Sequence, residues 1–307
     1  MPTAFISHDD CSKHVMIADH PECPERLAAI QNQLISSGLL GYLHQYDAPE
    51  ATIEQLARVH DRLYVDEILA KSLTEGLVHI DPDTYMNPFT VTAALRAAGA
   101  AVLATELVIG TDIENAFCNI RPPGHHAERD QAMGFCFFNN VAVGAAHALE
   151  AFGLERVAIV DFDVHHGNGT EDIFQDDERV LVCSTYQHPL FPYSGRATLP
   201  GRLINTPLPA GCWGKQFRAA INEHWLPALH AFQPTIIFIS AGFDGHIEDD
   251  MANFNLVEAD YTWVTQEIVE IAEQYAEHRV VSVLEGGYAL SALGRSAAAH
   301  IRALLQI

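Results

Sequence analysis

Six short apolar runs stand out of the sequence: 3-TAFIS-7, 115-NAFCNI-120, 157-VAIVDFD-163, 180-VLVCST-185, 235-TIIFIS-240 and 280-VVSVLE-285. Most are rich in β-branched residues and bounded by polar residues, glycine or proline, which predicts strands. Between them, apolar positions recur at helical spacing over 24–37, 52–72, 91–109, 139–152, 215–231, 258–277 and 290–305. Asn139 or Asn140 is the expected cap of the helix carrying 141-VAVGAAHAL-149, and Ser291 that of the last helix. Near-continuous apolar strands alternating with helices predict an α/β fold. It would be a single domain over 1–307, with a central, mostly parallel sheet covered by helices on both faces. In such folds ligands gather beyond the carboxyl ends of the strands. Long irregular stretches at 8–24, 76–90, 121–138, 186–214 and 242–256 are where the site is expected.

Composition narrows the class. Hydrophobic residues make up 49% and charged residues 19% of 307, enough for a sizeable core and too apolar for disorder. The formal net charge of −23, from 17 Lys+Arg against 40 Asp+Glu, repels nucleic-acid phosphates and anionic membranes. Cationic substrates, peptides or polyamines are what such a surface attracts; solubility alone is the other use of the charge. The six cysteines are scattered without a CxxC pair, as expected of reduced thiols in a cytoplasmic protein. No signal peptide is expected from MPTAFISHDDCSKH, and no uninterrupted apolar run approaches the ~20 residues of a membrane span.

The chemistry lies where the strands end. In 160-VDFDVHHGNG-169, residues Asp161, Asp163 and His165 alternate, so an extended chain points all three to one face. Carboxylates placed together are unfavourable unless a cation or proton intervenes. A metal answers this, and a metal-free Asp–His hydrogen-bond cluster is the alternative. A second strand ends at 239-ISAGFDGH-246, so Asp163, His165 and Asp244 would neutralise a divalent ion and leave a position for water. Asp161 would then orient a neighbouring imidazole. His246 is a further candidate ligand, or the start of a second metal site. The third strand runs into 121-RPPGHHAERDQ-131, whose pair His125–His126 has no ligand spacing of its own and fits acid–base work. The fourth ends in 285-EGGYAL-290, where Gly286 and Gly287 permit close backbone approach and deliver Tyr288 to the same rim as an oxyanion donor.

Taken together, 20-HPECPERL-27, 121-RPPGHHA-127, 134-GFCFFNNVA-142, 161-DFDVHHGNGT-170, 241-AGFDG-245 and 285-EGGY-288 resemble the zinc-dependent histone deacetylase family, in its class II-like, bacterial amidohydrolase branch. The resemblance runs from about residue 3 to 305. It implies an arginase/deacetylase fold and a catalytic Zn²⁺, or Fe²⁺, held by Asp163, His165 and Asp244. His126 would be the general base and then the acid, His125 would hold a proton, and Asp161 and Asn168 would orient His125 and His126. Tyr288 would polarise the carbonyl. Gly134, Phe135 and Phe191 would wall an acyl-lysine tunnel, with Asp83 at its rim. Arg26 would line an internal acetate exit. A structural K⁺ would sit at Asp161, Ser184 and backbone carbonyls near Asp163, His165 and Thr185. His166, on the opposite face, is assigned to structure. Polyamine-specific relatives place Glu seven residues past the last zinc ligand, where this chain has Met251 flanked by Glu248, Asp249 and Asp250. The expected substrates are acetylated lysine peptides or proteins, with acetylated polyamines as the alternative. A non-catalytic acyl-lysine binding protein is the remaining reading, disfavoured because every expected catalytic residue is present.

Overall fold

The computed structural model describes residues 1–72, 74–195 and 198–307, so positions 196 and 197 of the irregular stretch expected at 186–214 lie outside the described residues. The strands are β1 (Thr3–Ser7), β2 (Leu43–Asp47), β3 (Val78–Asp81), β4 (Thr84–Met86), β5 (Asn115–Cys118), β6 (Val157–Asp161), β7 (Val180–Gln187), β8 (Leu203–Leu208), β9 (Ile236–Ala241) and β10 (Val280–Leu284). Eight of them form one sheet in the order β2-β1-β5-β10-β9-β6-β7-β8, and β3 pairs with β4 as a separate hairpin. Every pairing in the large sheet is parallel.

The central strands β5, β6, β9 and β10 are buried at every position. This is why they read as unbroken apolar runs: both faces of a parallel sheet are covered. The edges behave differently. In β2 only Leu43 is buried, and β8 contains Pro207, which an edge strand tolerates because no neighbour needs its missing N–H. Neither edge was expected from the apolar pattern, nor was the β3–β4 hairpin inside the stretch 76–90.

The helices are α1 (Asp10–Lys13), α2 (Glu25–Ser36), α3 (Ile53–Leu56), α4 (Arg62–Ala70), α5 (Thr90–Gly110), α6 (Asn140–Phe152), α7 (Asn168–Phe174), α8 (Gly214–Ala220), α9 (Leu226–Phe232), α10 (Glu258–Tyr275) and α11 (Leu290–Leu305). α5 packs on α6 and on β1, β5 and β10, while α10, α11 and α2 pack side by side as another layer. By length and composition α5 could cross a membrane, but 67% of its apolar window is buried inside the fold.

Three helix expectations need correction. The helix expected over 52–72 is two: Thr52 and Gln55 close a reciprocal cap on α3, the chain then turns, and Asp61 N–H donates to the Arg129 carbonyl at 2.8 Å. The helix expected over 215–231 contains a wide π turn at Ile221–Trp225, ahead of Pro227, which has no N–H for the regular ladder. Ser291 does not cap α11; the helix begins after Ala289, and the Ser291 hydroxyl accepts from Arg295 at 2.7 Å. Asn139 does cap α6, accepting from Ala142 N–H at 3.1 Å.

The register places the chemistry. Asp161, the last residue of β6, lies opposite Ser184 of β7 and Ser240 of β9. β9 continues beside β10, and β10 beside β5. The four loops leaving β5, β10, β9 and β6 therefore emerge side by side at one end of the sheet.

Candidate active site

β6 ends at Asp161, two residues earlier than expected, so strand alternation alone does not bring Asp163 and His165 together. A hydrogen-bonded turn does. The Asp161 carboxylate accepts from Asp163 N–H at 3.0 Å, and Asp163 accepts from His165 N–H at 2.8 Å. Asp244 joins from the β9 loop, its Oδ1 accepting from Val164 N–H at 3.1 Å. His165 Nδ1 lies 3.1 Å from both Asp163 Oδ1 and Asp244 Oδ2. One ligand atom from each of Asp163, His165 and Asp244 falls within 4.8 Å of the others, and all three residues are buried.

Gly286 presses onto this cluster. Its N–H donates to Asp163 Oδ2 at 2.8 Å, and a Cβ there would stand 2.1 Å from Asp244 Oδ2. Only glycine lets the backbone approach so closely. The electrostatics call for positive charge. Burial opposes protonation of His165, but hydrogen bonds to Asp163 and Asp244 outweigh it and push its pKa up to about 10. Burial and the Asp163 charge push Asp244 up to about 6. A divalent cation meets the same demand with His165 neutral, so this set of two carboxylates and one imidazole could hold one.

The loop after β5 carries the histidine pair. Arg121 is sealed beneath it, donating to Glu22 Oε2 at 2.6 Å and to the Cys11 and His14 carbonyls. His125 Nδ1 lies 2.9 Å from Asp161 Oδ2, and His126 Nδ1 lies 2.8 Å from Asn168 Oδ1. The Asn168 amide is oriented by Glu128, whose Oε1 accepts a hydrogen bond from Asn168 Nδ2 at 2.7 Å. Oδ1 therefore faces His126, which must carry its proton on Nδ1 and keep Nε2 as an acceptor. Burial, reinforced by His125 and His165, holds His126 well below the usual histidine pKa. For His125 burial is outweighed by Asp163 and Asp161, which hold its pKa well above the usual value. The pair thus divides into a neutral imidazole and a protonated one.

Tyr288 sits across from them, above Arg26, whose Cζ lies 4.9 Å from the ring centroid. Arg26 also donates to the Gly287 carbonyl at 2.6 Å and is wholly buried with Glu22. Burial raises the phenol pKa well above 10, so Tyr288 stays a proton donor. His126, His165 and Tyr288 line the inner end of a cavity of about 190 Å³, whose walls are Gly134, Phe135, Leu190, Phe191, Tyr193 and Met251, with Asp83 at the edge. Gly134 has φ +55°, and a Cβ on it would meet His126 at 2.6 Å and Phe191 at 3.0 Å. Asp83 belongs to the β3–β4 hairpin; burial and Asp81 push its pKa up to about 6.

Ser184 Oγ, on the residue opposite Asp161, and Thr185 Oγ1 are buried without a hydrogen-bond partner among the described residues. Two histidines are placed away from the cluster: His246, a candidate ligand in the sequence, and His166, assigned there to structure. His246 turns toward Glu258, 3.6 Å away, and is not among the convergent ligand atoms. His166 lies between Glu171 and Ser194, at 3.1 and 2.9 Å.

Three residues were not read from the sequence. Glu128 orients Asn168. Glu285 is fully buried under the histidine loop, where its Oε2 accepts from Gly124 and His125 N–H at 2.7 and 3.1 Å, and burial pushes its pKa up to about 7. Asp249 accepts from Tyr288 N–H at 2.6 Å. A charge ending an apolar strand was the available signal for Glu285; Glu128 and Asp249 gave none.

A parallel sheet with carboxylates, imidazoles and a phenol collected at its central strand ends defines a hydrolase of the arginase/deacetylase fold. Residues 20–304 match the histone deacetylase domain, and the chain belongs to that family. It is 37% identical over 298 residues to a probable deacetylase of Archaeoglobus fulgidus, covering 94% of this chain and 82% of that protein. It is 35% identical over 326 residues to the polyamine deacetylase HDAC10 of Homo sapiens, covering 99% of this chain and 48% of that protein. The solved HDA15 HD domain superposes with a TM-score of 0.93 at 34% identity, covering 99% of this chain and 88% of that one.

Proposed function

We propose that the chain is a zinc-dependent deacetylase that hydrolyses the amide of N-ε-acetyl-lysine in peptides or proteins. The observation that carries this reading is the convergence of Asp163, His165 and Asp244, of which His165 lines a cavity walled by Phe135 and Phe191. Those three residues would hold Zn²⁺, although a mixed oxygen and nitrogen set also accepts Fe²⁺. When bound, the cation polarises the acetamide carbonyl and makes water a better nucleophile. His126 takes a proton from the attacking water at Nε2 and returns it to the leaving lysine amine. His125, held protonated by Asp161 and Asp163, adds positive charge beside the developing oxyanion. Tyr288 donates a hydrogen bond from its hydroxyl to that oxyanion. Phe135 and Phe191 hold the four methylenes of the lysine stem and exclude water. Ser184, whose hydroxyl beside Asp161 has no partner among the described residues, fits a structural K⁺ together with backbone carbonyls near Asp163, His165 and Thr185.

Tyr288→Phe should lower kcat by about 10²–10³-fold, the usual loss for one oxyanion donor, while KM changes little. Steady-state kinetics on an acetyl-lysine peptide check this; a kcat within about twofold of the parent removes Tyr288 from the mechanism.

Acetylated polyamines are the second reading, favoured by the acidic run Glu248–Asp250 beside the gate. The structure uses most of that charge internally. Glu248 pairs with Arg295 at 2.6 Å, and Asp249 is buried against backbone amides. That leaves Asp250 and the rim residue Asp83 to meet a cationic chain, with apolar Met251 at the wall. Side-by-side kcat/KM should therefore favour an acetyl-lysine peptide over N-acetylputrescine by more than about tenfold. The reverse ratio would establish a polyamine enzyme, and no metal-dependent acetate release from either substrate would sink the deacetylase reading.

A further inference from the structure

The segment that delivers Tyr288 has little to hold it. It is two glycines and a tyrosine, and Gly287 has φ +121°. Backbone hydrogen bonds fix it instead. On one side Gly286 N–H is tied to Asp163, and Arg26 holds the Gly287 carbonyl. On the other side stands Asp249, only 5% exposed. Its Oδ2 accepts from Tyr288 N–H at 2.6 Å and from Ala289 N–H at 2.9 Å, at the start of α11, where no side chain of the helix supplies a cap. Its Oδ1 accepts from Met251 N–H at 3.1 Å. The turn carrying Asp249 is itself fastened to α11 by the Glu248–Arg295 pair. One buried carboxylate thus sets the backbone of two residues that line the cavity, Tyr288 and Met251.

We propose that Asp249 is a positioning residue that fixes the Tyr288 hydroxyl against the bound amide and Met251 at the tunnel wall together. Catalytic rate and choice of substrate are coupled through it. The inference rests on the deacetylase reading of the site. Its physical basis is acceptor count: two carboxylate oxygens serve three N–H donors, and an amide has only one acceptor oxygen. Asp249→Asn therefore leaves at least one backbone N–H facing an NH₂ group, and the segment must shift. Displacements of about 1 Å cost roughly 10²-fold in rate.

The test is Asp249→Asn, assayed per metal-loaded, folded molecule, alone and combined with Tyr288→Phe. Alone it should lower kcat by roughly 10–100-fold with little change in KM. On the Tyr288→Phe background it should change kcat by less than about twofold, because the hydroxyl it positions is gone. An equal loss in both backgrounds overturns the proposal, since it would mean a general structural role. The ratio of kcat/KM between an acetyl-lysine peptide and N-acetylputrescine should also move by at least about threefold as Met251 shifts. An unchanged ratio overturns the gate half of the proposal, and an unchanged kcat overturns the whole. Should Asp249→Asn fail to fold, Asp249→Glu keeps both acceptors on a longer stem, and the same kcat loss and the same cycle apply. An inactive parent chain would overturn this proposal and the deacetylase reading together; an active parent with an unaffected Asp249→Asn overturns this proposal alone.

Discussion

Asp244→Asn should reduce deacetylation to the background rate and strip the protein of its bound metal. The substitution keeps the side-chain volume, so the fold should survive, and the loss can be read at the site. Asp244 supplies one of the three convergent ligand atoms found among the described residues, and the residue is buried at 1% exposure. A neutral carboxamide is a poor replacement for a carboxylate there, because the remaining Asp163 charge neutralises only half of a dication. Metal content by elemental analysis should fall from about one ion per chain, the stoichiometry of a single catalytic site, to near zero. Dialysis of the parent protein against a chelator should produce the same loss, and adding back Zn²⁺ or Fe²⁺ one at a time shows which ion supports turnover. Full activity in metal-depleted protein would leave the cluster as an Asp–His hydrogen-bond network and remove the metal from the mechanism.

The parts of the molecule that could be read from sequence are those whose neighbours are dictated locally. β5, β6, β9 and β10 are buried on both faces, so nearly every position is apolar, and the runs announced themselves. β2 and β8 lie at the sheet edges, mix polar with apolar positions, and look like loops. The same division holds in the site. Asp161, Asp163 and His165 sit within five residues, and a crowded charge after an apolar strand signals its own chemistry. Glu285 and Asp249 act on backbone amides that are 160 and 39 positions away, respectively. No spacing along the chain could reveal such a partnership. The run Glu248–Asp250 is the clearest case. As sequence it is three equivalent acids near a gate. Folded, Glu248 joins Arg295, Asp250 faces solvent, and Asp249 turns inward to hold Tyr288.

His126→Ala should leave the enzyme near-inactive while it still binds metal, which separates a proton-transfer group from a ligand. General acid–base groups contribute about 10²–10⁴-fold, so kcat should fall by that much with metal content unchanged. Metal loss would instead recast His126 as a ligand. The geometry favours the first outcome, because Nδ1 is committed to Asn168 at 2.8 Å and the ring is outside the convergent ligand set. Its neutral state is also built in. Burial comes first, and the charges of His125 and His165 add to it, so His126 sits well below the usual histidine pKa. A bound dication pushes in the same direction. At neutral pH the base is therefore unprotonated, and the acid limb of kcat/KM should lie below the ordinary histidine range. Asn168→Asp tests the cause. A carboxylate beside Nδ1 stabilises the imidazolium, which raises the His126 pKa and moves the acid limb to higher pH. A pH profile of kcat/KM for that variant that does not move, or moves to lower pH, would mean that another group takes the proton from water.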